Sequence, residues 1–287
     1  MELRGIGLAG CGRMGAGMLQ ALIAAGFDAG GFDVRPRHQF GPLAEHIETD
    51  PRAFAGNLRT LLSVVRDRAQ TEEVLFGAQN FTSIAPKLER IIICSTLSPA
   101  YVRALQSRVP KGITLIDAPM SGAEIGARER RLSFMLGGDA ADLDALMPIF
   151  QAMGTSFHRM GGFGSGMAAK VLNNLLAASN TVMTRLVLEW ARAGNLNPNR
   201  LLDLIAASSG QNWFASGFNE IEFSRDGFGP DNTIGILEKD VLAALDDAPE
   251  GADTRLPRLL VEMIGTLAPI DWDIRSGAKP TNGTDPL

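Results

Sequence analysis

Gly5-Ile6-Gly7-Leu8-Ala9-Gly10-Cys11-Gly12-Arg13-Met14-Gly15 decides the fold. The short apolar run from Gly5 to Ala9 reads as a buried strand, and the periodic stretch from Met14 to Ala25 reads as a helix. Between them stands G-x-G-x-x-G, at Gly10, Gly12 and Gly15. Such glycines allow a tight turn and let backbone N–H groups approach a pyrophosphate at the helix N-terminus, where the helix dipole favours an anion. In a chain with 32 glycines the pattern alone is weak, and its context strengthens it. A second strand, Ala29 to Val34, carries Asp33, 18 residues after Gly15. Asp33 is placed to accept hydrogen bonds from the adenosine ribose and to repel a 2′-phosphate, so NAD is expected over NADP. Arg35 and Arg37 lie close enough to keep NADP open. A bare strand-turn-helix with structural glycines and a methyltransferase-type nucleotide site are the competing readings.

Further along, short apolar runs alternate with helical patterns. Leu61 to Val65, Arg90 to Cys94, Ile113 to Asp117, Ser133 to Leu136 and Ser156 to Met160 read as strands, an alternation that signals a parallel α/β sheet. After Gly166 the period changes. Met167 to Ala193 is one long helical pattern, followed by Leu201 to Ala207, Gly217 to Phe223, Thr233 to Leu245 and Pro257 to Leu267. The expected architecture is an N-terminal Rossmann-type doubly wound sheet over residues 1–162, then an all-α domain over 163–287 that begins on a long linking helix. The glycine-rich stretch Gly161 to Gly166 is the expected boundary, and Gly277 to Leu287 is expected to be mobile.

Composition narrows the function. The net charge of −5 argues against a nucleic-acid partner, which usually needs a basic face. Cys11 and Cys94, the two cysteines, form no CxxC or Cys/His cluster, so neither a disulfide nor a metal site is expected. The first apolar run already reads as a strand, so no signal peptide is expected, and no apolar stretch reaches membrane-spanning length. A cytoplasmic location follows as the expectation. With three histidines, proton transfer has few imidazole candidates. Of 27 basic residues only Lys87, Lys111, Lys170, Lys239 and Lys279 are lysines. Arginine cannot give up its proton, whereas a buried lysine can. Lys170 follows flexible glycines on a mostly apolar helix, with amides three and four residues later at Asn173 and Asn174. By its residues alone it is a candidate proton-transfer group, set against the reading of a solvated helix lysine.

Taken together, these stretches resemble the β-hydroxyacid dehydrogenases, a family that includes 3-hydroxyisobutyrate dehydrogenase and tartronate semialdehyde reductase. The resemblance runs from Ile6 to about Asp240. It rests on the dinucleotide turn with its Met14-Gly15 ending, on Phe32-Asp33-Val34, and on Ser95-Thr96-Leu97-Ser98-Pro99. It continues through Asp117-Ala118-Pro119-Met120-Ser121-Gly122-Ala123 with Gly137-Gly138, through G-x-G-x-x-x-K-x-x-N-N from Gly164 to Asn174, and through Lys239-Asp240.

The resemblance implies reversible oxidation of a small 3-hydroxy acid to its semialdehyde or keto acid, with hydride passing to NAD. It implies Lys170 as general acid/base with Asn174 beside it, and Ser121, Gly122, Ala123 and Asn173 around the substrate carboxylate. The implied cofactor set is Gly10, Gly12, Arg13, Met14, Gly15, Asp33, Val34, Val65, Arg66, Thr96 and Lys239. A small carboxylate substrate and a homodimer or homotetramer are the expected partners. Ala123 departs from a usual glycine, Cys94 from a usual acid, and Asn232 from a frequent phenylalanine at the nicotinamide side. Ala177 stands where decarboxylating relatives carry a further acid, so simple dehydrogenation is expected. Trp213 reads as a core residue, and Arg128-Arg130-Arg131 as a solvated face. The alternative reading is an inactive or imine-reducing relative that binds a nicotinamide cofactor as an oligomeric module. Lys170 disfavours it.

Overall fold

The computed structural model of the chain describes residues 3–272, so the expectation for Gly277 to Leu287 lies outside the described residues. Contacts divide the chain into two compact units between Val171 and Leu172.

The first unit is built on one sheet: β1 (Ile6–Ala9), β2 (Ala29–Phe32), β3 (Ile47–Glu48), β4 (Thr60–Ser63), β5 (Arg90–Ile93), β6 (Thr114–Asp117), β7 (Met120–Ser121), β8 (Leu132–Gly137) and β9 (Gly154–Gly161). The strand order is β3-β2-β1-β4-β5-β6-β8-β7, with β9 paired to β8. β1 to β6 are mutually parallel. The order reverses between β1 and β4, which is where open α/β sheets bind ligands, outside the carboxyl ends of the strands. The sheet is not parallel throughout. β8 runs antiparallel to β6 and β7. The 14 residues between β6 and β8 hold β7 and one short helix, and the chain returns in the opposite direction.

Helices α1 (Arg13–Ala24), α2 (Pro51–Ala55), α3 (Arg68–Leu75), α4 (Phe81–Ile84), α5 (Pro99–Ala104), α6 (Ala123–Arg128) and α7 (Ala140–Met153) connect these strands. Strand side chains alternate between the two faces of the sheet, and both faces are covered. Leu62, Ile92 and Ile116 join Met18 and Leu22 of α1 and Phe150 of α7 in one cluster. Leu61, Ile91 and Ile93 join Phe81, Val102 and Leu105 in another. Burial on both faces is why the strands are near-continuous apolar runs, each buried Leu or Ile contributing about 1.5–3 kcal/mol. Side-chain caps start several of the helices: Asp67 accepts from Gln70 N, Ser98 from Tyr101 N and Asp139 from Ala141 N.

Helix α8 (Ser165–Ala193) starts in the first unit and continues past Val171 into the second. The second unit also holds α9 (Pro198–Ala206), α10 (Trp213–Ser216), α11 (Thr233–Asp246) and α12 (Arg255–Gly265). One cluster gathers Leu188, Leu202, Phe214, Phe218 and Ile270, and another gathers Ala178, Val182, Ile234, Val241, Leu260 and Ile264. Arg185 is buried in the same unit, and its guanidinium donates to the carbonyls of Asp226 and Ala268 at 2.5 Å each.

Two expectations fail here. Gly217 to Phe223 is not a helix. Asn212 caps the short α10 by accepting from Ala215 N, α10 ends at Gly217, and the apolar residues that follow reach the core from turns. Trp213 is not in the core: it is 65% exposed, because Phe214 and Ala215 take the buried face of so short a helix.

Candidate functional site

The glycine turn separates packing glycines from an open one. A Cβ on Gly15 would stand 2.0 Å from the Gly10 carbonyl oxygen, so α1 can leave the turn only through a glycine. Gly10 has φ of +95° and would strike the Val64 carbonyl, which makes it a backbone requirement as well. A Cβ on Gly12 would meet no heavy atom within 4 Å. Crowding does not call for a glycine there: glycine suits the N-cap position of α1, and it also leaves room for close approach of a pyrophosphate. That test supports a dinucleotide at the start of α1. Beside it lies a cavity of about 300 Å3 lined by Gly12, Arg13, Arg35, Phe40, Glu124 and Arg128, which is rich in positive charge. Arg13 is exposed and Met14 half-buried at the same turn.

At the end of β2, Asp33 is buried and occupied on all sides. Its Oδ2 accepts from Cys11 N at 2.9 Å and from Arg35 Nη2 at 3.0 Å, while Oδ1 accepts from Arg35 N and Nε, each at 3.0 Å. Burial alone would raise its pKa. The bonds from Arg35 and Cys11 outweigh burial and hold it below the usual carboxylate range. Arg35 also donates to the Cys11 carbonyl and stacks on Phe40, 4.7 Å from the ring centroid. The adjacent Cys11 thiol is pushed up to about 12, first by burial and then by the Asp33 charge, so it is no nucleophile. Val34 is 75% exposed just beyond.

The remaining expected residues of the first unit line the same carboxyl edge of the sheet. Val65 and Arg66 follow β4, and Arg66 N donates to Gln70 Oε1. Thr96 follows β5, next to the buried Ser95. Ser121 ends β7, and the turn after it has positive φ at Gly122 (+135°) and at Ala123 (+53°). The departure at Ala123 therefore leaves the turn in a glycine-type conformation. Lys170, in the second turn of α8, is 7% exposed. Leu97 N meets Met167 Sδ at 3.3 Å, which ties the start of α8 to the loop that carries Thr96.

In the second unit, Asn174 Nδ2 donates to Asp240 Oδ2 at 2.5 Å, and Lys239 Nζ lies 2.9 Å from Asp240 Oδ1. Asn173 Nδ2 donates to Asn174 Oδ1 at 3.2 Å. Asn174, Asn173 and Lys239 are thus linked through the buried Asp240, which the sequence reading left out of the site. Its position beside Lys239 was the available signal. Asn232 caps α11, accepting from Gly235 N and donating to the Gly227 carbonyl, so this departure has a structural explanation. Among the described residues no cluster of His, Cys, Asp and Glu could hold a metal ion, and no helix is long and apolar enough to cross a membrane.

Residues 5–162 match the NAD-binding domain of 6-phosphogluconate dehydrogenase, and residues 164–267 match a domain described as the NAD-binding part of NADP-dependent 3-hydroxyisobutyrate dehydrogenase. The chain is 33% identical to 2-hydroxy-3-oxopropionate reductase of Escherichia coli over 186 residues, 64% of this chain and 63% of that protein. It therefore spans just under two thirds of that relative's length. It is 28% identical to rat mitochondrial 3-hydroxyisobutyrate dehydrogenase over 229 residues, 77% of this chain and 68% of the relative. In fold it is similar to Mycobacterium tuberculosis 3-hydroxyisobutyrate dehydrogenase, solved with L-serine, at a TM-score of 0.76 and 23% identity over 95% of this chain and 97% of that one.

Proposed function

The chain belongs to the β-hydroxyacid dehydrogenase family, whose cofactors are NAD and NADP, and from that premise we propose that it interconverts a small 3-hydroxy acid and its semialdehyde or keto acid. A bound nicotinamide cofactor supplies the hydride acceptor or donor. The open Gly12, the start of α1 and the neighbouring arginines suit its pyrophosphate.

The observation that carries the reading is Lys170, a buried amine on α8, whose first turn is tied to the loop after β5. In the oxidative direction the neutral amine takes the hydroxyl proton, and in reduction the ammonium returns it. Ser121 Oγ and the N–H groups at Gly122 and Ala123 hold the substrate carboxylate on an exposed turn with positive φ at both residues. Asn174, one helical turn after Lys170, orients the substrate oxygen, Asn173 supports it, and Lys239 serves the cofactor side, with Asp240 fixing the Asn174 amide and the Lys239 ammonium. Ala177 leaves the position two turns after Lys170 without an acid, in keeping with hydride transfer without decarboxylation. The domain assignment we favour remains 1–162 for cofactor binding and 163–287 for the helical part. Leu172, Leu176, Met183 and Trp190 on α8 are each more than half exposed and repeat at helical spacing, which supports self-association.

The test is a panel of 3-hydroxyisobutyrate, 3-hydroxypropionate, D-glycerate and L-serine, each with NAD and NADP, read by nicotinamide absorbance. Turnover of at least one acid that Lys170→Ala abolishes, with cofactor affinity retained, supports the proposal. Undiminished turnover by Lys170→Ala contradicts the role of Lys170, and cofactor binding with no turnover on any acid favours a non-catalytic cofactor-binding module.

A further inference from the structure

Asp117 is the last residue of β6 and is fully buried. Its carboxylate faces backbone N–H groups. Oδ1 accepts from Gly164 N at 2.6 Å and Oδ2 from Met167 N at 2.5 Å, with Gly166 N turned to the same group. These are donors at the N-terminus of α8, the helix that carries Lys170. They would otherwise be unpaired, and a carboxylate is the group that the positive end of a helix favours.

This contact explains Gly137, and together with the Met135 carbonyl it explains Gly166. A Cβ on Gly137, opposite Asp117 in the β6–β8 pair, would stand 2.2 Å from Asp117 Oδ1 and 2.8 Å from Gly166 N. A Cβ on Gly166 would stand 2.3 Å from the Met135 carbonyl oxygen and 2.9 Å from Asp117 Oδ2. Neither glycine has a φ that calls for glycine, so space is the reason for both. Gly164, by contrast, turns the chain with φ of +94° to aim its N–H at the carboxylate. The carboxyl end of β6, the end of β8 and the first turn of α8 therefore meet on one buried acid. Helix α8 has a single long run from there, and Lys170 lies three residues beyond Met167.

We propose that Asp117 is a positioning residue for the dehydrogenase reaction: by capping the first turn of α8 it sets where the Lys170 amine stands above the carboxyl edge of the sheet. It touches neither substrate nor cofactor. The inference rests on the reading of Lys170 as the proton-transfer group. Replacing the carboxylate by an amide leaves one acceptor for the N–H groups and turns an NH2 toward another donor. The helix start must then shift, and a misplacement of about 1 Å costs about a hundredfold in rate.

The experiment compares Asp117→Asn, Lys170→Ala and the double variant with the unaltered enzyme, using the acid of the panel that turns over fastest. Rates are expressed per cofactor-binding site, so that unfolded protein does not count. Asp117→Asn is expected to lower kcat by about a hundredfold, with KM and the cofactor Kd within about threefold. The double variant is expected to be no slower than Lys170→Ala, because Asp117 acts through Lys170. Gly166→Ala, which presses on the same contact, is expected to lower kcat in the same way. An Asp117→Asn enzyme with unaltered kcat overturns the proposal, as does a double variant whose losses multiply. Failure of both Asp117→Asn and Asp117→Ser to fold also overturns it, since the acid would then serve the stability of the whole unit. If Lys170→Ala retains full turnover, the reading of Lys170 falls first. If Lys170→Ala is inactive and Asp117→Asn keeps an unaltered kcat, only the positioning role falls.

Discussion

The guanidinium of Arg35 grips both carboxylate oxygens of Asp33, Nε on Oδ1 and Nη2 on Oδ2, each at 3.0 Å. The acid that the sequence assigns to the adenosine ribose thus already has a bidentate, charge-assisted partner. A ribose diol must compete with that partner, and a 2′-phosphate meets a neutralised acid rather than a bare one. Arg35→Ala is expected to free Asp33 and to raise the ratio of kcat/KM for NAD over NADP by about tenfold or more, the equivalent of about 1.4 kcal/mol. Initial rates with both cofactors measure it, and an unchanged ratio would show that Arg35 has no part in the choice.

The same pair predicts a pH dependence of stability. The folded Asp33 is held below its ordinary pKa, so its contribution is present above the unfolded value of about 3.9 and is lost as the pH falls through the folded value. Arg35→Ala removes the guanidinium, the largest lowering cause, and leaves the backbone N–H bonds from residues 35 and 11. The variant should melt below the unaltered protein at about pH 7, and the gap should close as the pH drops below about 3.9. Thermal unfolding followed by circular dichroism across that range reads the gap. A difference that stays constant or widens on acidification would mean that Arg35 stabilises by packing on Phe40 instead.

The sequence made the glycine turn legible because every constraint on it is local: strand, glycines and helix are adjacent, and Asp33 comes one strand later. The run Ile91-Ile92-Ile93 was readable for a similar reason, since a strand buried on both faces has no polar side to show. The direction of β8 was not readable, because alternation marks a strand without marking its sense. Gly217 to Phe223 carried helix-like spacing, yet Gly217 ends α10 and the apolar residues pack from turns. Asp117 looked like part of a substrate motif. Its contacts are with residues 47 and 50 positions away, and no local pattern reports them.

The glycine turn itself offers a test with opposite outcomes at two nearby positions. Gly12→Ala places its methyl in open space, so the folded state should keep its melting temperature while the cofactor Kd rises by about tenfold or more. Gly15→Ala places its methyl 2.0 Å from the Gly10 carbonyl oxygen, so it should cost about 1–3 kcal/mol of stability. Urea unfolding and cofactor titration of both variants measure the pair. A destabilised Gly12→Ala with normal cofactor affinity would mean that the open space is not where the pyrophosphate sits.

Ala123 offers a gain rather than a loss. Its φ of +53° is left-handed, and a Cβ in that region costs about 1–2 kcal/mol. Glycine relieves that strain but adds freedom to the unfolded chain, which offsets about 0.4–1 kcal/mol. The balance favours Ala123→Gly by a few tenths to about 1 kcal/mol, read from the urea midpoint at unchanged slope. Because Gly122 and Ser121 keep their backbone course, the substrate KM should stay within about threefold. A lower midpoint would mean that α6, which begins at Ala123, needs the alanine more than the turn needs relief.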